Sequence, residues 1–586
     1  MKKYIPVIIA AAIHANTFGG SVNVQNSERP NVIIILSDDQ GYGDFSCHGN
    51  PILKTPALDK LYNESVRFGN FHVTPLCTPT RGQLMTGLDA MHNKAATVLT
   101  GRNLMRRDLI TMPEVFSNNG YATGIFGKWH LGDTYPDRPM DRGFQKCIWH
   151  KGWGLLSEIE FDNDYYETRY LDSLETKQSG EYCTNLWFNK ATEWMDEMAG
   201  EKQPFFTYLA LNAPHGPFLS PAQDYNFYRD QVSDSTTASF LGMIRNIDRN
   251  MARLDDWLEK TNLKNNTLVI FMNDNGGTGG VDLYNAGMRD KKGSNYDGGH
   301  RAACFMRWPD GNFGDVRTVS SAAQIQDLLP TFIDLFELKI NDGYQFDGQS
   351  LKEVLLGKEI HSDRMFVVQQ GLPVKFGGCV VHGPWRLVGD NELYNMDNDP
   401  SQQKNVAANY PEIISSMRSF YEVWWKKTEP GINQFVPVII GSDKENPVIF
   451  NSNNWVGEAV NTQWNVALAK GAPKGGSCHI HVTKSGKYRV ELSRWPFHLQ
   501  RSLTGAGPGT SVGGTEIRQG KAVPVHFGCV SLNNGNPVIT ESKAGATVVT
   551  FEMELQAGDS TFQAWFKNKD GKDLCGAYYV RVEKLF

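Results

Sequence analysis

Cysteine is scarce in this chain: nine residues in 586, irregularly spaced. Neither a disulfide framework nor a zinc site is indicated by so few. Positive charge is not in excess either. The formal net charge is −6 and the isoelectric point is near 6.2, which excludes a broadly basic surface and, with it, nucleic acid as an expected partner. Internal repeats, low-complexity tracts and a glycine-rich phosphate loop are all absent. The apolar stretch from Tyr4 to Ala12 is too short to cross a bilayer, so no membrane span is expected.

That stretch reads instead as an export signal. Met1-Lys2-Lys3 precedes it, and small residues at Ala10, Ala12 and Ala15 suit cleavage. Residues 1–20 are therefore expected to be a signal peptide and the protein to be exported, periplasmic or secreted. No cysteine lies near the end of the segment, which argues against a lipid anchor.

What is abundant is a repeated pattern. Four apolar runs end in hydrophilic clusters, as buried parallel strands do at their carboxyl ends. Asn31-Val32-Ile33-Ile34-Ile35-Leu36 runs into Ser37-Asp38-Asp39, and Thr267-Leu268-Val269-Ile270-Phe271-Met272 runs into Asn273-Asp274-Asn275-Gly276. These two deliver oxygen ligands. Tyr121–Phe126 leads into Gly127-Lys128-Trp129-His130, and Phe205–Leu211 into Asn212-Ala213-Pro214-His215, delivering cations and proton carriers. In an open α/β sheet the ligand crevice lies beyond the carboxyl ends of the strands, so the four clusters should converge on one edge. Adjacent carboxylates repel, and a hard cation between them would relieve the cost of burying them. Three carboxylates and an amide oxygen suit calcium or magnesium better than zinc.

A fifth segment, Cys77-Thr78-Pro79-Thr80-Arg81, is expected to open a short helix with Thr78 at the N-cap, Pro79 in the first helical position and Gly87 at the stop. Cys77 would then sit at the positive end of the helix with Arg81 pointing back toward it. Backbone N–H groups and a guanidinium there make a cradle for a tetrahedral oxyanion such as sulfate or phosphate.

With these motifs in view, the chain resembles the type I, formylglycine-dependent sulfatases of the alkaline phosphatase superfamily. The spacing of Cys77, Pro79 and Arg81 resembles the family signature, Gly127-Lys128-Trp129-His130-Leu131-Gly132 its second signature, and Lys292-Gly293-Ser294-Asn295-Tyr296-Asp297-Gly298-Gly299 the segment carrying its second active-site lysine. Lys292 is preferred over Lys291 because the glycine follows it directly. The resemblance spans residues 28–430 and implies calcium held by Asp38, Asp39, Asp274, Asn275 and the modified Cys77. It also implies a maturation enzyme that generates formylglycine from Cys77. The hydrated aldehyde carries two hydroxyls: one attacks sulfur, and loss of the proton from the other lets sulfate be expelled. Lys128, Lys292, His215 and Arg81 would supply positive charge, with Arg81 positioning the diol. By resemblance His130 is the base for the collapse step, and His215 or Lys292 protonates the departing oxygen. Asp44 and Arg301 are read as structural partners, and His14, His48, His72 and His92 as background.

The implied fold class is α/β, a mostly parallel sheet flanked by helices over residues 28–360, alkaline-phosphatase-like. A small C-terminal antiparallel subdomain is expected over 361–430, with strands in Val380–Val388 and Glu392–Met396 and an amphipathic helix from about Tyr410 to Trp425. Over 436–586 short strands separated by Gly, Pro, Asn and Ser read as an appended all-β sandwich, with Trp455, Trp464, Trp495 and Trp565 as core. This part is expected to contribute no catalytic group. The expected substrate is a sulfated carbohydrate, attacked at a terminal sugar. Trp149, His150, Trp153, Tyr165, Tyr166 and Tyr170, among Asp162, Asp164 and Arg169, form the mixture of aromatic and charged groups that binds sugars. Two rival functions fit parts of the pattern: a phosphate or phosphonate ester hydrolase of the same superfamily, and an inactive receptor for sulfated glycans.

Overall fold

The structure is a computed structural model that describes residues 29–98, 100–155, 164–358, 363–457, 463–507, 510–512, 515–517 and 520–585. The expected signal peptide, Asp162 and the side chain of Trp464 lie outside the described residues.

Ten strands form the main sheet: β1 (Asn31–Ser37), β2 (Val66–Phe68), β3 (Ala122–Lys128), β4 (Lys146–His150), β5 (Thr168–Asp172), β6 (Glu175–Ser179), β7 (Phe205–Ala210), β8 (Thr267–Asn273), β9 (Cys304–Arg307) and β10 (Arg317–Val319). Their order across the sheet is β10-β2-β9-β8-β1-β7-β3-β4-β5-β6. The central five, β8-β1-β7-β3-β4, are parallel. Toward the edges β9, β5 and β6 turn antiparallel.

The apolar runs are continuous because both faces of the central strands are covered. Alternate residues of one strand point to opposite faces. Val32, Ile34 and Leu36 of β1 join Tyr208, Ile270 and Met272 in one core, whereas Ile33 and Ile35 join Leu209, Val269 and Phe271 in the other. Each such side chain, fully withdrawn from water, contributes roughly 1.5–3 kcal/mol. The helices that cover the sheet include α1 (Pro56–Asn63), α2 (Cys77–Thr86), α3 (Met112–Asn118), α4 (Cys183–Gly200), α5 (Ser235–Lys260) and α6 (Leu328–Phe336). Apolar residues of α2, α3 and α6 pack on the first face and those of α1, α4 and α5 on the second.

A separate four-stranded antiparallel sheet (Met365–Val368, Cys379–His382, Trp385–Val388, Glu392–Asn395) is covered by α7 (Pro411–Thr428) through Met417, Tyr421, Trp424 and Trp425. Beyond it, a mainly antiparallel six-stranded sheet and a four-stranded antiparallel one enclose a further apolar core containing Trp455 and Trp495. Trp455, Trp495 and Trp565 are all buried, as expected of core residues. This β-sandwich packs against the loop that follows β3 and the segment that precedes α3. Asn451 Nδ2 donates to Asp133 Oδ2 at 3.1 Å, Arg107 Nη2 donates to the Pro437 carbonyl at 2.6 Å, and the Tyr135 amide donates to Glu445 Oε2 at 2.5 Å.

Candidate active site

The carboxyl ends of β1, β3, β7 and β8 meet at one edge, and α2 brings the cysteine segment to it. Helix α2 starts at Cys77, two residues earlier than the expected start at Pro79, with Leu76 in extended conformation at the N-cap. Thr78 therefore does not cap it. Its hydroxyl is 2.8 Å from His130 Nε2, a tertiary bond that outcompetes the local capping role. Gly87 ends the helix at φ 68°, as its position implied. All ten residues of α2 are buried, Cys77 and Arg81 included.

The charged groups interlock in pairs. Lys128 Nζ lies 2.5 Å from Asp38 Oδ2, and Lys292 Nζ lies 2.5 Å from Asp39 Oδ1. Arg81 Nη2 donates to Asp274 Oδ2 at 3.0 Å and stands 3.8 Å from Asp38 Oδ2. The other nitrogen, Nη1, reaches the Lys128 carbonyl at 3.1 Å and the Tyr208 hydroxyl at 3.3 Å. Asn275 Nδ2 donates to Asp39 Oδ1 at 2.9 Å. Cys77 Sγ is 3.4 Å from His130 Nδ1. His215 Nδ1 is held by the Gly216 carbonyl at 2.7 Å, leaving Nε2 3.7 Å from Asp39 Oδ2. All ten residues singled out from the sequence are thus in one cluster. The exposed Lys291 is outside it, and Lys292 is the lysine that enters.

The cluster has a floor and a mouth. The side chains of Asp38, Arg81 and Lys128 are 0% exposed, whereas Lys292 and His215 keep 19% and 13% of their side-chain surface. An anion entering would meet these two residues first. Backbone strain is concentrated here as well: Asp39 and His130 adopt φ 68° and 58°, the left-handed region that non-glycine residues rarely enter. Close packing sets two glycines of the motifs. A Cβ on Gly127 would lie 2.0 Å from the Ala210 carbonyl oxygen, and one on Gly276 would lie 2.1 Å from that of Gly298.

Arg81, Lys128 and Lys292 match the three acids of the site in number, but burial and crowding still set the acids against one another. Burial favours the neutral form of Asp38, yet Lys128 first, then His215 and Arg81, hold its carboxyl far below the usual range. Asp274 is pushed up to about 7 by burial and then by the charge of Asp38. Two buried carboxylates therefore press on each other around a single guanidinium nitrogen. Asp38 Oδ1 and Asn275 Oδ1 are buried and find no hydrogen-bond partner among the described residues. Asp38, Cys77 and Asp274 offer ligand atoms within 4.8 Å of one another, as do Asp38, Asp39 and His215. Orphaned oxygens among clustered carboxylates fit a hard divalent ion. The thiol of Cys77 is raised by burial despite Lys128 and Lys292, so a thiolate nucleophile is not what this pocket favours. Burial, then Lys128 and Arg81, hold His130 well below its ordinary range. Burial also lowers His215, so both rings are neutral at pH 7.

Of the aromatic stretch expected to hold sugar, most is core. Trp149 and Tyr165 are buried, and the Tyr165 hydroxyl donates to the Asn212 and His215 carbonyls at 2.9 and 2.7 Å, supporting the histidine loop from below. Tyr170 packs edge-on against Trp187. Trp153 is different: its ring meets that of His215 at 5.4 Å, edge to face, at the mouth. Thr78, expected only as a cap, and Tyr208, a tyrosine within an apolar run, both contact the site, and neither contact carries a local signal in the sequence. His72, Asp297 and His300 form another buried group. There Asp297 is already paired with Arg301 and Arg386 at 2.5 and 2.8 Å, so it reads as a structural network. This agrees with the structural part expected of Arg301.

The fold and this edge define a hydrolase of the alkaline phosphatase superfamily. Residues 30–338 match the Sulfatase family model, more than half of the chain, and the protein belongs to the sulfatase family and is a sulfuric ester hydrolase. Mouse arylsulfatase J is 29% identical over 384 residues, covering 61% of this chain and 62% of that protein. N-acetylgalactosamine-6-O-sulfatase of Bacteroides thetaiotaomicron is 24% identical over 498 residues, covering 68% and 94%. Among solved structures, Ps i-CgsB superposes with a TM-score of 0.62 at 27% identity, covering 68% of this chain and 93% of that one. The same protein has been solved with k-i-k-neocarrahexaose bound. Among the described residues no helix is long and apolar enough to cross a membrane.

Proposed function

We propose that this protein removes O-sulfate from a terminal sugar of a sulfated glycan, using formylglycine made from Cys77 and one calcium ion. The observation that carries the reading is the meeting of Asp38, Asp39, Asp274 and Asn275 with Cys77, with two buried ligand-type oxygens left over. Those four residues and side chain 77 would hold calcium, which supplies a lowered pKa for a bound hydroxyl and a pull on a sulfate oxygen. Formylglycine, as its hydrate, supplies both the nucleophile and the exit described for the family.

The chain's own groups do the rest. Three carboxylates face three cations, Arg81, Lys128 and Lys292, so the cluster is close to neutral by itself. A divalent ion would leave it positive, which suits an anionic ester. Arg81, wholly enclosed, orients Asp274 and the Lys128 carbonyl. Lys128 and Lys292 face the ester oxygens from the floor and the mouth. His130, neutral and fixed by Thr78 on Nε2, takes a proton at Nδ1 from side chain 77. The proton for the departing sugar oxygen comes from Lys292 at the mouth, since neutral His215 carries its proton on Nδ1 toward the Gly216 carbonyl and presents Nε2 as an acceptor. Trp153 offers an apolar face beside them. Because α2 is buried along its whole length, the maturation enzyme must reach Cys77 before the chain folds. Export follows from residues 1–20 as read above.

Mature enzyme should release sulfate from sulfated galactose or N-acetylhexosamine, and a peptide containing residue 77 should show the aldehyde by mass spectrometry. Full activity with unmodified cysteine, full activity after exhaustive chelation, or a preference for matched phosphate esters would overturn the reading. Desulfation of internal sugars with terminal ones untouched would overturn the terminal assignment.

A further inference from the structure

We propose that the cavity where the β-sandwich meets the loop after β4 is a second sugar subsite. It takes a sulfated residue of the same glycan chain some distance from the sugar being desulfated. The inference rests on the glycan reading above and assigns a function to the β-sandwich, which otherwise has none.

The cavity, about 410 Å³, is of the size that small ligands occupy. One wall belongs to the main α/β region, through Asp133 and Lys151. The other belongs to the β-sandwich, through Phe497, His498, Gln500 and Arg581. Lys151 also lines a neighbouring cavity of about 550 Å³, where it joins Arg138, Arg169 and Lys444 against the carboxylates of Asp443 and Glu445, so positive groups outnumber negative ones on that side too. The Asp133 carboxylate does not oppose an anion there with unpaired lone pairs. It accepts from the Gly152 amide at 3.0 Å and from Asn451 Nδ2 at 3.1 Å, tying the Lys151-Gly152 turn to the sandwich.

The cations facing this space have donors to spare. Among the described residues Lys151 Nζ has no hydrogen bond or ion pair. Arg581 uses Nη1 for Glu491 at 3.0 Å, out of five N–H groups on a guanidinium. Its guanidinium lies 4.2 Å over the Phe497 ring, so an apolar face and a forked donor are presented together. That pairing suits a sulfated pyranose: a CH-rich face for the ring and a fork for the sulfate. Gln500 stands at the same wall, exposed, with φ 47°, a left-handed conformation costly for glutamine and held by its own Nε2 bond to the Phe497 carbonyl at 2.7 Å.

Position completes the argument. Lys151 precedes Trp153 by two residues, at most about 7 Å of chain, and Trp153 meets His215 edge to face at the mouth of the catalytic cluster. A glycan whose terminal sugar sits at His215 and Lys292 can therefore run past Trp153 into the cavity. A monosaccharide or an aryl sulfate cannot reach it.

The test compares chain lengths. On mature wild-type enzyme, KM should be at least tenfold lower for sulfated tetra- and hexasaccharides of carrageenan or chondroitin sulfate than for the matching sulfated monosaccharide. Lys151→Ala, alone and with Arg581→Ala, should raise the oligosaccharide KM about tenfold, leave kcat unchanged, and leave monosaccharide and 4-nitrophenyl sulfate kinetics unchanged. Isothermal titration of the sulfated hexasaccharide into the inactive Cys77→Ala protein should show the same loss of affinity on adding Lys151→Ala. A KM independent of chain length, or an oligosaccharide KM untouched by Lys151→Ala, would overturn the subsite. Failure of the wild type to desulfate any glycan would instead overturn the function on which it rests.

Discussion

Replacing Arg81 with leucine removes the one guanidinium that holds two buried carboxylates in place while keeping much of the apolar volume. In the native site Arg81 Nη2 is 3.0 Å from Asp274 and 3.8 Å from Asp38, and Nη1 serves the Lys128 carbonyl and the Tyr208 hydroxyl; the side chains of Arg81 and both aspartates are 0% exposed. Deleting one partner of such a network strands the other charge in a medium that cannot solvate it, a loss of about 3–5 kcal/mol. At about 2.1 cal/mol/K of unfolding entropy per residue, a loss of 4 kcal/mol from a unit of roughly 400 residues lowers the melting temperature by about 5 °C. Calcium should change that number in a defined direction. A ligand that binds only the folded state adds about 2.7 kcal/mol at a hundredfold excess over its Kd. Bound among the carboxylates, it would replace part of the missing positive charge. Differential scanning calorimetry in excess calcium and in EDTA should therefore show a large deficit for Arg81→Leu in EDTA and a smaller one in calcium. Sulfate release by the variant in excess calcium should fall at least a hundredfold. A variant as stable as the wild type in EDTA, or melting curves indifferent to calcium in both proteins, would refute the charge argument.

Three further outcomes follow from local geometry. Asp248 on α5, buried and accepting from the Leu58 amide at 2.8 Å, is pushed up to about 7, chiefly by burial. Since the folded state binds its proton more tightly than the unfolded one, stability from this group falls as pH rises from about 4 to 7, by on the order of 4 kcal/mol. Asp248→Asn should accordingly gain stability relative to wild type between pH 4 and 8 in thermal melts, and a pH-independent difference would refute this. Gly276→Ala places a Cβ 2.1 Å from the Gly298 carbonyl oxygen; it should destabilise by about 1–3 kcal/mol and weaken calcium binding in titration calorimetry, whereas an unaffected calcium affinity would show that the 274–277 turn adapts. Trp153→Ala should lower kcat/KM for sulfated sugars about tenfold, and equal losses on sugar and aryl sulfates would show that the ring supports His215 rather than the sugar.

Much of this site was legible because its residues follow strands whose apolar runs have one explanation. Val32–Leu36 and Leu268–Met272 are apolar without alternation because helices cover both faces, and such strands are parallel. Parallel strands end on the same edge, so Asp38, Asp39, Asp274, Asn275, Lys128 and His215 had to gather there. The choice of Lys292 over Lys291 came from the resemblance of Lys292-Gly293 to the family's segment, and burial bears on it only in the folded chain.

Three-dimensional contact decided what no spacing could carry. Thr78 looked like a helix cap until His130 offered its hydroxyl a better partner 2.8 Å away. Tyr208 was one apolar residue among seven until Arg81 reached its hydroxyl. Trp149, Tyr165 and Trp153 look alike as a sequence of aromatics, yet the first two fill the core and only the third reaches the mouth, because burial depends on which elements pack against a segment. The seating of the β-sandwich on Asp133, and with it the cationic cavity at Lys151, joins segments more than three hundred positions apart. Strand pattern and motif chemistry are local and survive in the linear chain. Partner identity across the fold is set by packing and charge pairing, which exist only once the chain has closed on itself.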